Sequence, residues 1–248
     1  MQLKIYKDYH ELSVHAADEI IELVKNKPDA VLCLAAGDTP RLTYSLMAEK
    51  AKRDGIDFSR CTFIGLDEWI GIPPENEGSC RYFLQTTLFD SLHISPSQIH
   101  VFNSLAEDLS QECETMNKFI SEKGGIDLMV VGVGMNGHIG FNEPGVSFDQ
   151  YAHVIDLDET TQSVGQKYFA QTTALKKGIT LGLNHLRESR KVILMANATK
   201  KATVIKKALE ENVNNNMPAS IMQTISQGIV MIDEAAASLL EHKTPASN

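Results

Sequence analysis

Hydrophobic and polar positions alternate in blocks along the chain. Short apolar runs bounded by turn residues predict buried strands at residues 30–35, 61–66, 128–133, 192–196 and 228–232, and another predicted strand starts at residue 3. Apolar residues spaced as on one helical face predict helices at 12–24, 42–52, 82–88, 109–120, 199–209 and 234–240. This alternation predicts an α/β fold: a doubly wound, mainly parallel, Rossmann-like sheet with helices on both faces.

The chain has 248 residues, enough for one large domain with a substantial core. No linker rich in Pro, Gly or Ser marks a boundary, so we predict a single domain over residues 1–248. Its 32 acidic and 23 basic side chains give a net charge of -9, which repels the phosphates of nucleic acids and anionic lipid surfaces. We therefore expect neither nucleic acid nor a membrane as a partner.

Cysteine usage and the amino-terminal sequence bear on the compartment. The four cysteines show no CxxC spacing, so reduced thiols are expected. The first residues lack the long apolar core of an export signal, and no stretch has the apolar length needed to span a bilayer. These features predict a cytoplasmic protein.

Ligands of open parallel sheets bind outside the carboxyl ends of the strands. Three loops follow predicted strands at that edge, at residues 35–40, 67–79 and 134–145. Because the carboxyl ends of neighbouring parallel strands lie together, we expect the polar side chains of these loops to form one site.

The first loop combines a glycine with a hydroxyl at the start of a helix. Gly37 permits close approach of the backbone, and Pro40 suits the first turn of the helix that follows. The helix end and the Thr39 hydroxyl suit a phosphate group. An ordinary turn capped by Thr39 is the alternative. The Asp38 carboxylate would repel a phosphate unless it points away.

The second loop begins with two adjacent carboxylates, Asp67 and Glu68. Adjacent residues of an extended chain face opposite ways, so only one of them can point into a given cleft. A carboxylate in a partly desolvated cleft has the raised proton affinity of a general base, and Asp67 is our candidate. Two solvated turn residues are the alternative interpretation.

The third loop is rich in glycine. Gly132, Gly134 and Gly137 have the spacing of the dinucleotide-binding fingerprint, which requires the loop to open directly into a helix. Pro144 and Gly145 argue against such a helix, so no nicotinamide cofactor is expected. A purely structural turn and an active-site loop are the remaining interpretations.

The same loop presents a histidine and a carboxylate. Glu143 follows His138 by five residues and can orient the imidazole, fix its tautomer and favour its protonated form. A structural histidine is the alternative. No second histidine or cysteine stands at metal-ligand spacing, so no metal is expected.

Several motifs resemble those of one superfamily. They are Gly-Asp-Thr-Pro at 37–40, Leu-Asp-Glu-Trp at 66–69, Ser-Cys-Arg-Tyr-Phe at 79–83, Gly-Ile-Asp-Leu at 125–128 and Gly-His-Ile-Gly-Phe-Asn-Glu-Pro-Gly at 137–145. From about residue 28 to about residue 235 the chain resembles the glucosamine-6-phosphate deaminase and 6-phosphogluconolactonase superfamily. Lactonases lack the Asp-Glu pair and the Asn-Glu-Pro-Gly ending, so the deaminase branch fits better.

The resemblance implies roles for particular residues. Asp67 would move a proton from C2 to C1 of an opened hexosamine 6-phosphate, and His138 would open the sugar ring with Glu143 holding it. The products would be a ketohexose 6-phosphate and ammonia, formed without a cofactor. The implied catalytic residues are Asp67, Asn136, His138 and Glu143, and the implied substrate- and phosphate-binding residues are Gly37, Asp38, Thr39, Glu68, Gly137, Lys167 and Lys201.

Four positions depart from the pattern of typical glucosamine enzymes. Asn136 stands where they have aspartate, and Lys167 stands where they usually have arginine. The Asn-Gly-His form is similar to the galactosamine-6-phosphate isomerase/deaminase branch, which favours galactosamine 6-phosphate over glucosamine 6-phosphate as the substrate. His153 and Ile155 replace basic residues of an allosteric site, so no allosteric activation is expected.

Two other functions remain open at this point. His138 could activate water for hydrolysis of 6-phosphogluconolactone. A sugar-phosphate sensor is the second alternative, but the acidic charge lacks the footprint that DNA binding needs. Members of the superfamily occur as monomers and as hexamers, so a homo-oligomer is possible.

Overall fold

The computed structural model describes residues 1–241, so the end of the predicted domain, 242–248, lies outside the described residues. Ten strands form two sheets within that range. They are β1 (Gln2–Tyr6), β2 (Val31–Leu34), β3 (Thr62–Gly65), β4 (Asp67–Trp69), β5 (Ile99–His100), β6 (Leu128–Gly132), β7 (His153–Asp156), β8 (Lys177–Thr180), β9 (Val192–Ala196) and β10 (Gly228–Asp233).

The larger sheet has seven strands in the order β1-β10-β9-β6-β2-β3-β5, and all neighbours are parallel. From β2 the chain builds outward through β3 and β5, then crosses to β6 on the other side of β2. The gap between β2 and β6 is therefore the switch point of the topology, where the connections leave in opposite directions. A crevice at the carboxyl ends of these two strands is the expected place for a ligand.

Helices cover both faces of this sheet. They are α1 (Tyr9–Asn26), α2 (Asp38–Asp54), α3 (Cys80–Leu84), α4 (Asp90–Leu92), α5 (Leu109–Glu122), α6 (Glu159–Gly165), α7 (Leu183–Glu188) and α8 (Ala202–Glu210). A π-helical turn, Gln85–Phe89, joins α3 to α4. Neighbouring strand residues alternate between two apolar cores: Leu32 packs with α1 and α2, whereas Cys33 packs with α5 and α8. The predicted α/β fold with a helical layer on each face is confirmed.

The smaller sheet consists of β4, β8 and β7, with antiparallel neighbours. Two of its strands come from the segment without a regular pattern, 146–185. Asp67 is the first residue of β4 and pairs with Thr180 of β8. A third apolar cluster, which includes Trp69 and Phe141, lies beside this sheet. The loop predicted at 67–79 therefore begins with a short strand that projects from the main sheet.

The helix predicted at 234–240 was wrong, because the structure has turns there. After one bond from Ala237 N–H to the Asp233 carbonyl, the chain continues with turns such as that from Leu240 N–H to the Ala237 carbonyl. The N–H groups of Ser238 and Leu240 donate to carbonyls three residues earlier, and that of Ala236 donates to the Asp233 side chain, so the bonds between residues four apart that define an α-helix do not continue. No helix within residues 1–241 is long and apolar enough to cross a membrane.

Candidate active site

The loops after three neighbouring strands of the main sheet are joined by hydrogen bonds. The Thr39 hydroxyl, after β2, donates to the Asn197 side chain, after β9, at 3.0 Å. The Lys201 ammonium donates to the carbonyl of Val133, directly after β6, at 2.6 Å. The topology thus brings the first predicted loop, the histidine loop and the start of the segment before α8 to one edge of the sheet.

Two lysines converge at this edge. Burial, together with the positive charges of Lys200 and Lys167, lowers the pKa of Lys201 to about 8. The Lys167 ammonium lies 2.6 Å from an Asp38 carboxylate oxygen and over the ring of Tyr168. Asp38 therefore has a cationic partner, which reduces the repulsion expected between its carboxylate and a bound anion. A phosphate placed here would meet two ammonium groups that its charge would stabilise.

Gly37 and Thr39 form the backbone at the same place. Gly37 has a φ of 125°, in the region that favours glycine, and precedes α2 without a side-chain cap. The Tyr9 hydroxyl donates to the carbonyls of Asp38 and Thr39 and accepts from the N–H of Leu42. Tyr9 of α1 therefore fixes the start of α2 through backbone groups. The Thr39 hydroxyl takes no part in these bonds and can donate to Asn197 or to a ligand.

Asp67 is half-buried, and its carboxyl is poised for proton transfer. Burial and, to a smaller extent, the negative charge of Glu68 raise the pKa of Asp67, a hydrogen bond from the Cys80 thiol lowers it, and the net result is a pKa of about 7. A carboxyl with a pKa near neutrality can both take and return a proton at working pH.

Glu68 faces a different environment. It is 3% exposed, and its oxygens accept hydrogen bonds from the N–H groups of Trp69, Cys80 and Arg81 at 2.9, 3.0 and 2.9 Å. These bonds attach the start of α3 to β4. The Glu68 carboxylate is therefore bonded to backbone N–H groups, and its contact with a substrate stays a prediction. Its neighbour Cys80, absent from the predicted site, occupies the place beside Asp67.

Thr161 and Glu143 contact the imidazole of His138, and Asn136 bonds to Glu143 and to the His138 backbone. Its Nδ1 lies 3.0 Å from the Thr161 hydroxyl and 3.5 Å from a Glu143 oxygen. The Asn136 amide donates to the same Glu143 oxygen at 2.8 Å and accepts from the backbone N–H of His138. The predicted pair of His138 and Glu143 is thus in contact, with Asn136 bridging them. Thr161 went unrecognised because it lies in the segment without a readable pattern.

Glu143 is buried but ionised. Burial raises its pKa, but the hydrogen bond and charge of His138, together with Thr161 and Asn136, outweigh burial and leave the pKa below its usual value. An ionised carboxylate beside Nδ1 orients the ring and stabilises positive charge on it. The arrangement can therefore exchange a proton with a ligand through the imidazole.

Glycines make room for this loop. A Cβ added to Gly134 would lie 2.3 Å from the His138 ring, so the imidazole packs directly on this backbone. Gly137 has a φ of 90°, and its carbonyl accepts a hydrogen bond from the N–H of Ala219. Residues 133–152 form turns and contain no helix, so the dinucleotide fingerprint lacks the helix that it needs. Gly137 shapes the turn before the histidine.

The Asp67 and His138 loops meet through Thr180. The Thr180 hydroxyl lies 3.3 Å from the backbone nitrogen of Phe141, which donates to it. A Cβ on Gly140 would lie 2.8 Å from that hydroxyl and 3.2 Å from the Leu66 side chain. The residue before Asp67 therefore touches the residue two positions after His138. The loops that carry the candidate base and the imidazole are therefore in direct contact.

Within the described part of the chain, no group of three or more His, Cys, Asp or Glu side chains is placed to hold a metal ion. Lys201 bonds to the carbonyl of Val133, the residue before Gly134, and the His138 ring packs on Gly134. This arrangement can bind an anionic group at one end of a ligand and exchange protons at the other.

Comparisons with known proteins agree with this geometry. The family model described as glucosamine-6-phosphate isomerases/6-phosphogluconolactonase matches residues 7–231. The glucosamine-6-phosphate deaminase of Geobacillus sp. (strain WCH70) is 38% identical over 241 residues, which cover 97% of this chain and 96% of the relative. That of Clostridium perfringens (strain 13 / Type A) is 37% identical over 242 residues, covering 97% and 100% of the two chains.

Solved structures place the fold in the same group. A monomeric glucosamine-6-phosphate deaminase superimposes with a TM-score of 0.93 at 34% identity, covering 96% of this chain and 100% of that one. The 6-phosphogluconolactonase from Trypanosoma brucei has a TM-score of 0.76 at 17% identity over 96% and 97% of the two chains, which shows the shared fold alone. From the sheet edge, its proton-transfer groups and these matches, the chain belongs to the glucosamine-6-phosphate isomerase/6-phosphogluconolactonase family of enzymes.

Proposed function

We propose that this protein is a deaminating aldose–ketose isomerase that converts a hexosamine 6-phosphate and water to a ketohexose 6-phosphate and ammonia. The observation that carries the proposal is the half-buried Asp67 carboxyl, with a pKa of about 7, next to a loop that contacts the loop of the His138 and Glu143 pair. Similarity to glucosamine-6-phosphate deaminases supports the same substrate class.

The phosphate end of the substrate binds to Lys167, Lys201, Gly37 and Thr39. A phosphate dianion stabilises the positive charge that burial disfavours on Lys201. Lys167 exchanges its Asp38 partner for the phosphate. Binding this end fixes the distance from C6 to the reacting carbons, which converts the later proton transfers into steps within one complex.

Ring opening is assigned to His138. The imidazole passes a proton between the anomeric hydroxyl and the ring oxygen, and the nearby Glu143 carboxylate stabilises the protonated ring. Asn136 holds Glu143 without adding a second negative charge. The product of this step is the open-chain aldehyde with an amino group at C2.

Asp67 carries out the isomerisation. The aldehyde acidifies the C2 hydrogen, and the Asp67 carboxylate takes that proton while the aldehyde oxygen takes a proton from the ammonium group at C2, which gives an enolamine. The same carboxyl then returns the proton to C1, which leaves an imine at C2. Water adds to the imine, and ammonia leaves as the ketone forms. No step in this sequence requires a cofactor.

Galactosamine 6-phosphate is the substrate that we favour, on the Asn-Gly-His pattern at residues 136–138. Glucosamine 6-phosphate is the second candidate, and the names of the similar deaminases support it. Ammonia release from the two sugars, measured side by side in one coupled assay, decides between them.

Substitution of the base tests the mechanism. Asp67→Asn keeps the shape of the side chain but removes the proton acceptor, so we expect ammonia release to fall by at least about 1,000-fold with little change in sugar-phosphate binding. The exposed Asp57, whose carboxylate bonds only to Ser59 in its own turn, provides the control Asp57→Asn. Turnover by Asp67→Asn near the wild-type rate would refute the proposed role.

Lactone hydrolysis is the competing reaction. The family description includes 6-phosphogluconolactonase, and His138 could activate water for it. Release of acid from 6-phosphogluconolactone at a rate above that of ammonia release from both amino sugars would replace our proposal with this one.

A further inference from the structure

Ala198 has a backbone conformation that only glycine adopts readily. It directly follows Asn197 at the end of β9, and its φ of 72° and ψ of 152° lie outside the regions open to residues with a Cβ. Such a conformation persists only where the surrounding structure enforces it. The contacts of Ala198 show which residue holds it in this conformation.

Asp233 supplies the enforcing contact. The last residue of β10 is 6% exposed, and its two carboxylate oxygens lie 3.1 and 3.0 Å from the Ala198 nitrogen, which donates to them. The N–H of Ala236 donates to the first of these oxygens at 2.7 Å. None of the ion pairs seen among residues 1–241 includes Asp233. This buried charge is satisfied by backbone groups, chiefly the N–H of Ala198.

The turn at Ala198 sets the position of two groups at the anion site. On one side, Asn197 accepts the hydrogen bond of the Thr39 hydroxyl. On the other side, the Ala198 carbonyl accepts from the N–H of Lys201 at 2.9 Å, which forms the helical turn Thr199–Lys201 before α8. The Lys201 ammonium then reaches the carbonyl of Val133. A change of backbone direction at Ala198 would move Asn197 relative to Lys201.

We propose that Asp233 is a positioning residue for the phosphate end of the substrate, acting through Ala198 on Lys201 and Asn197. The inference rests on the proposed function to the extent that the ligand carries a phosphate. Asp233 does not contact the ligand. It keeps the turn in a conformation that alanine would otherwise leave, and so fixes the direction from which Lys201 meets the phosphate.

A rescue experiment separates this role from general stabilisation. In Asp233→Ala we expect the KM for the amino-sugar phosphate to rise by about tenfold while kcat changes by less than about threefold, because ground-state and transition-state binding are weakened alike. Adding Ala198→Gly to this variant should return KM to within about threefold of the wild type, since glycine adopts the turn without help. A KM that stays high in the double variant would overturn the proposal.

Asp127 provides the matched control. It is a buried carboxylate at the opposite end of the sheet, where it accepts from the N–H of Val31 and pairs with Lys27 and Arg190. Asp127→Ala should lower thermal stability and leave KM unchanged. If Asp233→Ala does not fold, Asp233→Asn takes its place, because it keeps the volume and one acceptor oxygen; a smaller rise in KM, again reversed by Ala198→Gly, is then expected.

Calorimetric titration with a hexitol 6-phosphate tests the inference without turnover. The dissociation constant should rise in Asp233→Ala and fall again in the double variant, in step with KM. A wild-type protein that binds this probe but releases no ammonia from either amino sugar contradicts the proposed function and leaves the inference testable by binding. Equal dissociation constants in the wild type and both Asp233 variants would overturn the inference alone.

Discussion

The proton affinity of Asp67 reflects a competition among its neighbours. Burial and, to a smaller extent, the charge of Glu68 raise its pKa, the thiol of Cys80 lowers it by donating a hydrogen bond to the ionised form, and the net result is a pKa of about 7. Burial also raises the pKa of Cys80 itself, and the two carboxylates reinforce this, so the sulfur remains a thiol and a donor. The thiol therefore lowers the pH at which the proposed base becomes ionised, against the larger effect of burial.

A pH–rate profile tests this assignment. The base must be ionised, so kcat/KM of the wild type should fall as pH falls through about 7. Cys80→Ala removes a bond that favours the carboxylate and should move this limb to higher pH. Cys113→Ala, at a buried thiol on α5, should not move it. A limb that stays in place or moves lower in Cys80→Ala would contradict the role given to the thiol.

Sequence reasoning could supply the chemistry of the site but not all of its contacts. The alternation rule indicated that one of Asp67 and Glu68 faces away from the cleft, and Glu68 lies against α3. The pairing of His138 with Glu143 followed from their spacing. Thr161 had no local signal, because it reaches His138 only through the tertiary fold. The roles of these residues in turnover stay predictions.

At the scale of secondary structure, the passage from β6 into the histidine loop depends on a missing side chain. The His138 ring occupies the space where a Cβ of Gly134 would lie, and the N–H of Gly134 donates to the His138 carbonyl at 2.8 Å. The loop is therefore folded back tightly on the end of the strand. The close approach of the ring to Gly134 helps to fix where the imidazole lies.

Substitution of Gly134 tests the importance of this close approach. Gly134→Ala puts a methyl group 2.3 Å from the ring, and displacement of the imidazole by about 1 Å should lower kcat by about 100-fold. Gly132→Ala is the control, because a Cβ there meets no atom within 4 Å. Equal activity of the two variants would mean that the ring position does not limit turnover.

The strands of the main sheet were predictable because they are buried on both faces. Continuous apolar runs such as 192–196 and 228–232 have no other stable location, and both form strands. The smaller sheet was missed because its strands are three or four residues long and include Lys177 and Asp156. Short, polar strands gain their order from partners distant in sequence, which local patterns do not report.

The described part of the molecule has two large apolar cores and a smaller apolar cluster, and the whole chain has a formal net charge of -9. The single domain, the cytoplasmic location, the possible homo-oligomer and the absence of allosteric activation stay predictions. A solved deaminase with the same fold is described as monomeric. His153, one of the two residues on which the prediction of no allosteric activation rests, has its Nδ1 2.8 Å from the Tyr151 carbonyl.

At the scale of the whole molecule, the buried His185 makes the free energy of unfolding depend on pH in the acid range. Burial lowers the pKa of His185 to about 4, and the charge of His153 contributes. The unfolded chain takes up this proton near pH 6.5 and the folded chain only near pH 4, so stability is lost as pH falls between these values. The expected loss from His185 is on the order of 3 kcal/mol.

Urea unfolding at pH 7 and pH 4.5 measures this loss. His185→Gln lacks the titrating group, so its free energy of unfolding should fall less between the two pH values than that of the wild type. His93→Gln, at an exposed histidine, should fall as much as the wild type. A His185→Gln variant with the acid sensitivity of the wild type would contradict the assignment.

The ion pair of Asp38 and Lys167 has a consequence for selectivity. In the proposed reaction the Asp38 carboxylate competes with the phosphate of the ligand for the Lys167 ammonium. A phosphate dianion carries more negative charge than this carboxylate and can displace it from Lys167. An unphosphorylated amino sugar has no anionic group to do so, so it is selected against at binding, before any chemical step.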